Sequence, residues 1–272
     1  MPIATNSGVK IYWDEVGEGE PVLLIMGLGS SSAMWHRIRP VLASQYRTIA
    51  FDNRGIGESD VPAGPYSIRE MSADAVAVLD AANIASAHVL GLSMGGMIAQ
   101  ELALQYPNRV RSLILACTSP GGENAVQADP EVQSLFASLR SMSPEVGTEA
   151  AVPILHAAGT ARARIDEDLA LRRKWYPSAK GYLGQLQAIR SWEAFSRLHQ
   201  IRVPTLVIHG DCDRLIPTRN GEILAQRIPG ARLVLLPQAG HVFFTDQPQR
   251  SQTEVIGFLS QHSAANKSTA QG

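Results

Sequence analysis

Short runs rich in Val, Ile and Leu recur along the chain with longer helical patterns between them, and this alternation limits the folds open to it. The runs are PVLLIMG (21–27), YRTIAFD (46–52), AHVLGL (87–92), VRSLILAC (110–117), TLVIHG (205–210) and ARLVLLP (231–237). A strand that is apolar on both sides must be covered on both sides, so these read as buried strands of a parallel sheet. SIREMSADAVAVLDAANI (67–84) and MGGMIAQELALQY (94–106) carry apolar residues at helical spacing, the second closed by Pro107. Strand and helix in alternation predict a doubly wound, mostly parallel α/β sheet with right-handed crossovers.

The alternation stops between about Ser119 and Val203. There DPEVQSLFASLRSM and GYLGQLQAIRSWEAFSRLHQ read as helices and no run reads as a strand. A compact domain rarely leaves so long a connection structureless. The expected organisation is an α/β core formed by 1–118 and 204–265, with a helical insertion over 119–203 ahead of the last two strands. The small polar residues 266–272 are expected to fray. As a lid, the insertion would cover the carboxyl edge of the sheet, where open α/β folds bind ligands. A chain of 272 residues is long enough to bury such a core.

Charge excludes some functions. Lys plus Arg number 24 and Asp plus Glu 25, a net charge of -1, so no global field attracts nucleic acid or an anionic membrane. The expected partner is a small, largely uncharged molecule. MPIATNSGVKIYWDE lacks a basic segment followed by an apolar one, and no apolar run reaches spanning length, which points to the cytoplasm. Two cysteines, Cys117 and Cys212, lack the C-x-x-C or Cys/His spacing of a metal site and are too few for a disulfide framework. Both are expected to be buried thiols, and no metal is expected.

The stretch GLSMGG places Ser93 between the run AHVLGL and the helical pattern that starts at Met94. A serine between strand and helix often only caps the helix. Here Gly91 and Gly95 flank it, and a G-x-S-x-G sequence in strand-turn-helix context lifts a nucleophilic Oγ above the sheet. The glycines are needed because side chains at such a sharp turn would strike backbone.

Serine is a weak nucleophile at neutral pH and needs a base, which in turn needs an orienting acid. Of seven histidines, His88 and His209 lie in strand runs, His36, His156 and His199 in helical patterns, and His262 in the tail. Only His241 follows a strand run and a flexible PQAG segment at the edge that would carry Ser93. HGDCDRLIP, directly after TLVIHG, offers Asp211 and Asp213 as the acid.

GLSMG, then GDCDRLIP, then AGH resembles the α/β-hydrolase superfamily, whose chain order is Ser, acid, His. The resemblance spans nearly the whole chain outside the insertion. It implies that Asp213, the second aspartate of the family's G-D-x-D-x-x-x-P pattern, is the acid, with Asp211 a structural neighbour. It also implies an oxyanion hole made by the backbone N–H groups of Met94 and Leu28. Where family members often have His-Gly, this chain has Met26-Gly27, which removes a supporting histidine but not the backbone donors. FDNRGIGESD resembles the superfamily's D-R-G-x-G-x-S turn, so Asp52, Arg54 and Ser59 are expected to shape a loop.

The motifs are most similar to those of 3-oxoadipate enol-lactonases and related carboxylesterases. The resemblance therefore implies a cofactor-free serine hydrolase acting on a small ester or lactone through an acyl-enzyme. Perhydrolases, C–C bond hydrolases and non-catalytic small-molecule receptors on the same fold are alternatives. A dinucleotide site at GLGSSS is disfavoured, since Ser32 stands where a third glycine is needed. Within the insertion, Phe136, Met142, Trp175, Trp192 and Phe195 are candidate pocket residues, as is Val242 by family position. Arg162, Arg164, Arg172, Arg173 and Lys174 are candidates to meet a substrate carboxylate.

Overall fold

The computed structural model describes residues 2–139 and 142–263, so the tail expected to fray, 266–272, lies outside the described residues. Eight strands form one sheet: β1 (Ile3–Asn6), β2 (Val9–Val16), β3 (Pro21–Ile25), β4 (Arg47–Phe51), β5 (Ala87–Leu92), β6 (Val110–Ala116), β7 (Thr205–Gly210) and β8 (Arg232–Leu236). Their order across the sheet is β1-β2-β4-β3-β5-β6-β7-β8. From β4 to β8 every pairing is parallel. All six apolar runs are strands, and all end at one edge of the sheet.

The sequence reading missed β1 and β2, which pair antiparallel with each other, β2 also pairing antiparallel with β4. Asn6 faces Val9 across a two-residue turn in which Ser7 and Gly8 have φ of 49° and 82°. Positive φ at both positions suits the right-handed twist of a tight hairpin. The signal was present as Ser-Gly between two alternating segments.

Successive residues of the central strands enter two separate cores. Leu23, Ile25, Val89, Leu113, Leu115 and Val207 face one layer, formed largely by α2 (Ile68–Ala81), α3 (Met94–Gln105) and α9 (Arg219–Arg227). Val22, Leu24, Leu90, Ile114, Leu206 and Ile208 face the other, formed by α1 (Arg39–Ala43), α10 (Phe243–Asp246) and α11 (Pro248–Gln261). The doubly apolar runs exist because both faces of the sheet are covered. Among the described residues no helix is long and apolar enough to cross a membrane.

Between β6 and β7 the chain forms α4 (Pro130–Ser138), α5 (Pro144–Ala150), α6 (Val152–Leu155), α7 (Arg162–Lys174) and α8 (Ala179–Arg190). The pattern read as one helix over 181–200 breaks after Arg190, because this stretch closes the segment's exit against its entrance. Glu193 makes an isolated antiparallel bridge to Gly121, and Ala194 N–H donates to Pro120 O at 2.8 Å. Tertiary pairing overrode helical periodicity there.

The turn from β5 into α3 fits only without side chains. A Cβ at Gly95 would lie 2.0 Å from Ile25 O, and one at Gly91 would lie 2.2 Å from Gly95 O. Gly95→Ala is therefore expected to destabilise the fold by at least about 2 kcal/mol, since the obstacle is backbone of the central strand. Urea unfolding of the variant against the parent measures this.

Candidate active site

Ser93 occupies the turn between β5 and α3 with φ 57° and ψ −120°. Such a conformation costs a non-glycine residue about 1–3 kcal/mol and persists only where surroundings enforce it. Three hydrogen bonds do so: Ser93 N–H to Ala116 O at 2.9 Å, Thr118 Oγ1 to Ser93 O at 2.7 Å, and Gly96 N–H to Ser93 O at 2.8 Å. The serine precedes the helix, yet its side chain makes no capping hydrogen bond. Its strained backbone is not explained by helix capping.

His241 follows β8 and is 5% exposed; Asp213 follows β7 and is 6% exposed. His241 Nδ1 lies 2.8 Å from Asp213 Oδ2. With Nδ1–H donating to the carboxylate, Nε2 keeps the lone pair that a base needs. The other carboxylate oxygen accepts Leu215 N–H at 3.0 Å and Ile216 N–H at 2.9 Å. Burial pushes the Asp213 carboxyl up, but the adjacent His241 and hydrogen bonds from His209 and His241 hold it well below the usual carboxylate range. Asp211 is exposed, and its carboxylate accepts the Cys212 thiol at 3.1 Å.

The serine and histidine segments meet through Cys117. Ser93 binds Ala116, and the next residue's thiol donates to Gly240 O at 3.9 Å, one residue before His241. Burial, then the charge of Asp213, raises the Cys117 thiol well above its ordinary value, so it stays protonated. Cys212 is exposed, contrary to expectation, because it lies in the loop after β7 rather than within the sheet. Cys117, His209 and Asp213 have donor atoms within 4.8 Å of one another, spacing that would suit a metal. Two of these donors are otherwise committed, Asp213 as above and His209 Nε2 at 2.8 Å from Ile216 O, whereas His209 Nδ1 is buried without a hydrogen-bond partner. The protonated thiol is also a poor ligand, so the group reads as a hydrogen-bonded support for Asp213.

Asp246 is an anchor that the sequence reading did not find. Its buried carboxylate accepts Gly240 N–H at 2.6 Å, Ala157 N–H at 3.1 Å and Thr160 Oγ1 at 2.6 Å, and His156 Nδ1 lies 3.1 Å away. It thus ties the loop bearing His241 to the helical segment after α6. Val242 N–H adds a bond to Leu155 O at 3.0 Å. The contacts span 86 to 90 residues of sequence, which local pattern does not register.

The loop after β3 presses on the serine turn. A Cβ on Gly27 would lie 3.1 Å from Ser93 Cβ, so Leu28 enters the site beside the first turn of α3. Helix geometry leaves the Met94 N–H without an intrahelical acceptor, and it sits at the positive end of the α3 dipole. Asn53 Nδ2 donates to Met26 O at 2.9 Å, supporting this loop although Met26 cannot. Gln185 of α8 is fully buried, accepts Gly29 N–H at 2.8 Å and donates to Arg54 O at 2.8 Å. Asp52 and Arg54 are loop-building residues: Asp52 accepts Ser32 N–H at 2.7 Å, and Arg54 pairs with Asp74 at 2.7 Å.

A cavity of about 270 Å³ opens beside this loop, with Leu28, Phe136, Met142, Arg172, Tyr176 and Tyr182 among its walls. Leu28 belongs to it, but Ser93, Met94 and His241 do not line it. Of the pocket candidates, Phe136 and Met142 line it, whereas Trp175, Trp192, Phe195 and Val242 do not. Trp192 is held at Glu101 by a 2.8 Å bond from Nε1, Arg227 covers the Phe195 ring, Lys174 lies over Trp175, and Val242 packs in the core.

The family model of the alpha/beta hydrolase fold matches residues 20–248. The provisionally named carbamate hydrolase RutD of Azorhizobium caulinodans is 31% identical over 264 residues, 96% of this chain and 99% of that protein. A poly(3-hydroxyalkanoate) depolymerase of Ectopseudomonas oleovorans is 33% identical over 244 residues, 89% of this chain and 84% of its own. The crystal structure of the enol-lactonase from Burkholderia xenovorans LB400 superposes with a TM-score of 0.84 at 28% identity, covering 95% of this chain and 100% of the lactonase.

The lowered Asp213 carboxyl sets a pH dependence of stability. An unfolded aspartate titrates near about 3.9, so the stabilisation is complete above that value and is lost as pH falls from there toward the lower folded value. Urea unfolding at pH 5 and pH 3 is expected to show a smaller loss of stability on acidification in Asp213→Asn than in the parent.

Proposed function

The chain belongs to the α/β-hydrolase family, and from that premise we propose that it is a serine hydrolase cleaving a small carboxylic ester or lactone. The observation that carries this reading is the 2.8 Å His241–Asp213 pair on the same sheet edge as the strained Ser93 turn. Ser93 Oγ attacks the substrate carbonyl while His241 Nε2 takes its proton, and the oxygen gains a negative charge. The N–H groups of Leu28 and Met94 receive that charge; one such donor lowers a barrier by roughly 3 kcal/mol. His241 then protonates the departing alkoxide, which leaves an acyl group on Ser93. Water attacks that ester with His241 again as base, releasing the acid and restoring the serine.

Asp213 stays ionised throughout, fixes the imidazole so that Nε2 faces the reaction, and stabilises the imidazolium. No step calls on a cofactor. Ester and lactone hydrolysis share this sequence, because a lactone is an ester whose leaving alkoxide remains tethered to the acyl group. The enol-lactonase likeness adds support for the lactone half of the proposal.

Ser93→Ala is expected to lower kcat/KM on p-nitrophenyl butyrate by at least about 10³-fold. A fluorophosphonate is expected to label Ser93 in the parent and to fail in His241→Ala, as read by peptide mass spectrometry. Undiminished turnover by Ser93→Ala overturns the mechanism.

A further inference from the structure

The cations of the helical segment divide sharply by partner. Arg162 pairs with Glu149 and Asp166, and Arg173 with Glu149. Arg164 donates to the carbonyls of Thr245 and Asp246, and Lys174 lies over the ring of Trp175. None of these four lines the cavity, whereas Arg172 does. Its Nη1 donates to Ser30 Oγ at 3.1 Å, and its Nε is buried with no hydrogen-bond partner.

The acid one turn before it does not meet that need. Asp168 is buried and already shared, with Arg37 Nε at 3.2 Å on one oxygen and Thr245 Oγ1 at 2.6 Å on the other. Arg37 also pairs with Glu167. Burial lowers the Arg172 guanidinium from its ordinary value, a sign of a charge removed from water without full compensation, yet an arginine stays charged in proteins. A half-buried cation whose Nε–H is buried and unused, beside an otherwise largely apolar wall, is costly unless an anion completes it.

The cation is also connected to the reaction centre. Ser30, which accepts from Arg172, donates to Leu28 O at 3.4 Å, and Leu28 lines the same cavity. A substrate whose carbonyl oxygen meets the Leu28 amide can therefore extend into the space that Arg172 borders.

We propose that Arg172 is a substrate-binding residue that receives a carboxylate, so that the preferred substrates are esters or lactones carrying a free carboxylate on the part that enters the cavity. The proposal rests on the serine-hydrolase reading and adds the substrate's charge. It replaces the uncharged ligand that net charge suggested, because the chain's overall balance does not register a single cation at the cavity wall. The planar guanidinium, with five N–H donors, matches a carboxylate in a way an ammonium does not.

The test compares monoethyl adipate with ethyl hexanoate, which matches its acyl chain length but lacks the terminal carboxylate, by proton release at constant pH. The parent is expected to favour the monoanion in kcat/KM, and Arg172→Met to lower that preference at least about tenfold, with Arg172→Lys restoring part of it. A parent that favours ethyl hexanoate, or a preference unchanged in Arg172→Met, overturns the proposal. Ser93-dependent turnover of ethyl hexanoate in that case leaves the serine-hydrolase reading standing. A second measurement needs no turnover and covers a variant that fails to fold. Adipate is expected to raise the melting temperature of the parent more than 1,6-hexanediol does, and equal shifts overturn the proposal.

Discussion

The site depends on one close approach. The first turn of α3 lies so near the end of β3 that a single methyl group at Gly95 would overlap the Ile25 carbonyl. That contact brings the β3 loop onto the serine turn and sets Leu28 beside the N-terminus of α3. A helix start, with its dipole and free amides, thus adjoins the Ser93 turn. The left-handed backbone of Ser93 follows from the same crowding, and the bonds to Ala116 and Thr118 hold it.

Around that contact, buried charges are satisfied locally and hold loops in place. Asp213 accepts two backbone amides besides the imidazole contact, so its orientation does not depend on His241 alone. Asp246 and Gln185 each connect a loop at the carboxyl edge of the sheet to the helical segment between β6 and β7. That segment therefore supports the site as well as bordering the cavity. Each of these groups is polar and buried, and each is matched to partners, which makes the arrangement specific rather than merely compact. Arg172, whose Nε–H is unused and which borders the cavity, points instead toward a ligand.

Much of the fold was legible because apolar runs repeat where strands are covered on both faces, and β5 and β7 coincide with their runs residue for residue. The hairpin of β1 and β2 is signalled by Ser7-Gly8, but its strands alternate buried and exposed residues and so form no apolar run. The 181–200 stretch misled because helical periodicity continues through Trp192 and Leu198, although Gly121 and Pro120 claim the backbone between them. Aromatic residues of the insertion were poor guides to the cavity, since Trp192 and Phe195 satisfy themselves against Glu101 and Arg227.

The sequence by itself determined the parallel α/β sheet, the strained serine turn and the chain order of Ser93, Asp213 and His241. These are written in local pattern: apolar runs, flanking glycines and short motifs at strand ends. Only the tertiary structure decided how the loops are fixed and left the Arg172 Nε–H at the cavity wall without an acceptor. Asp246, Gln185, Asn53 and Arg172 act through contacts with residues far away in the chain, and hydrogen-bond satisfaction is a property of space rather than of sequence spacing.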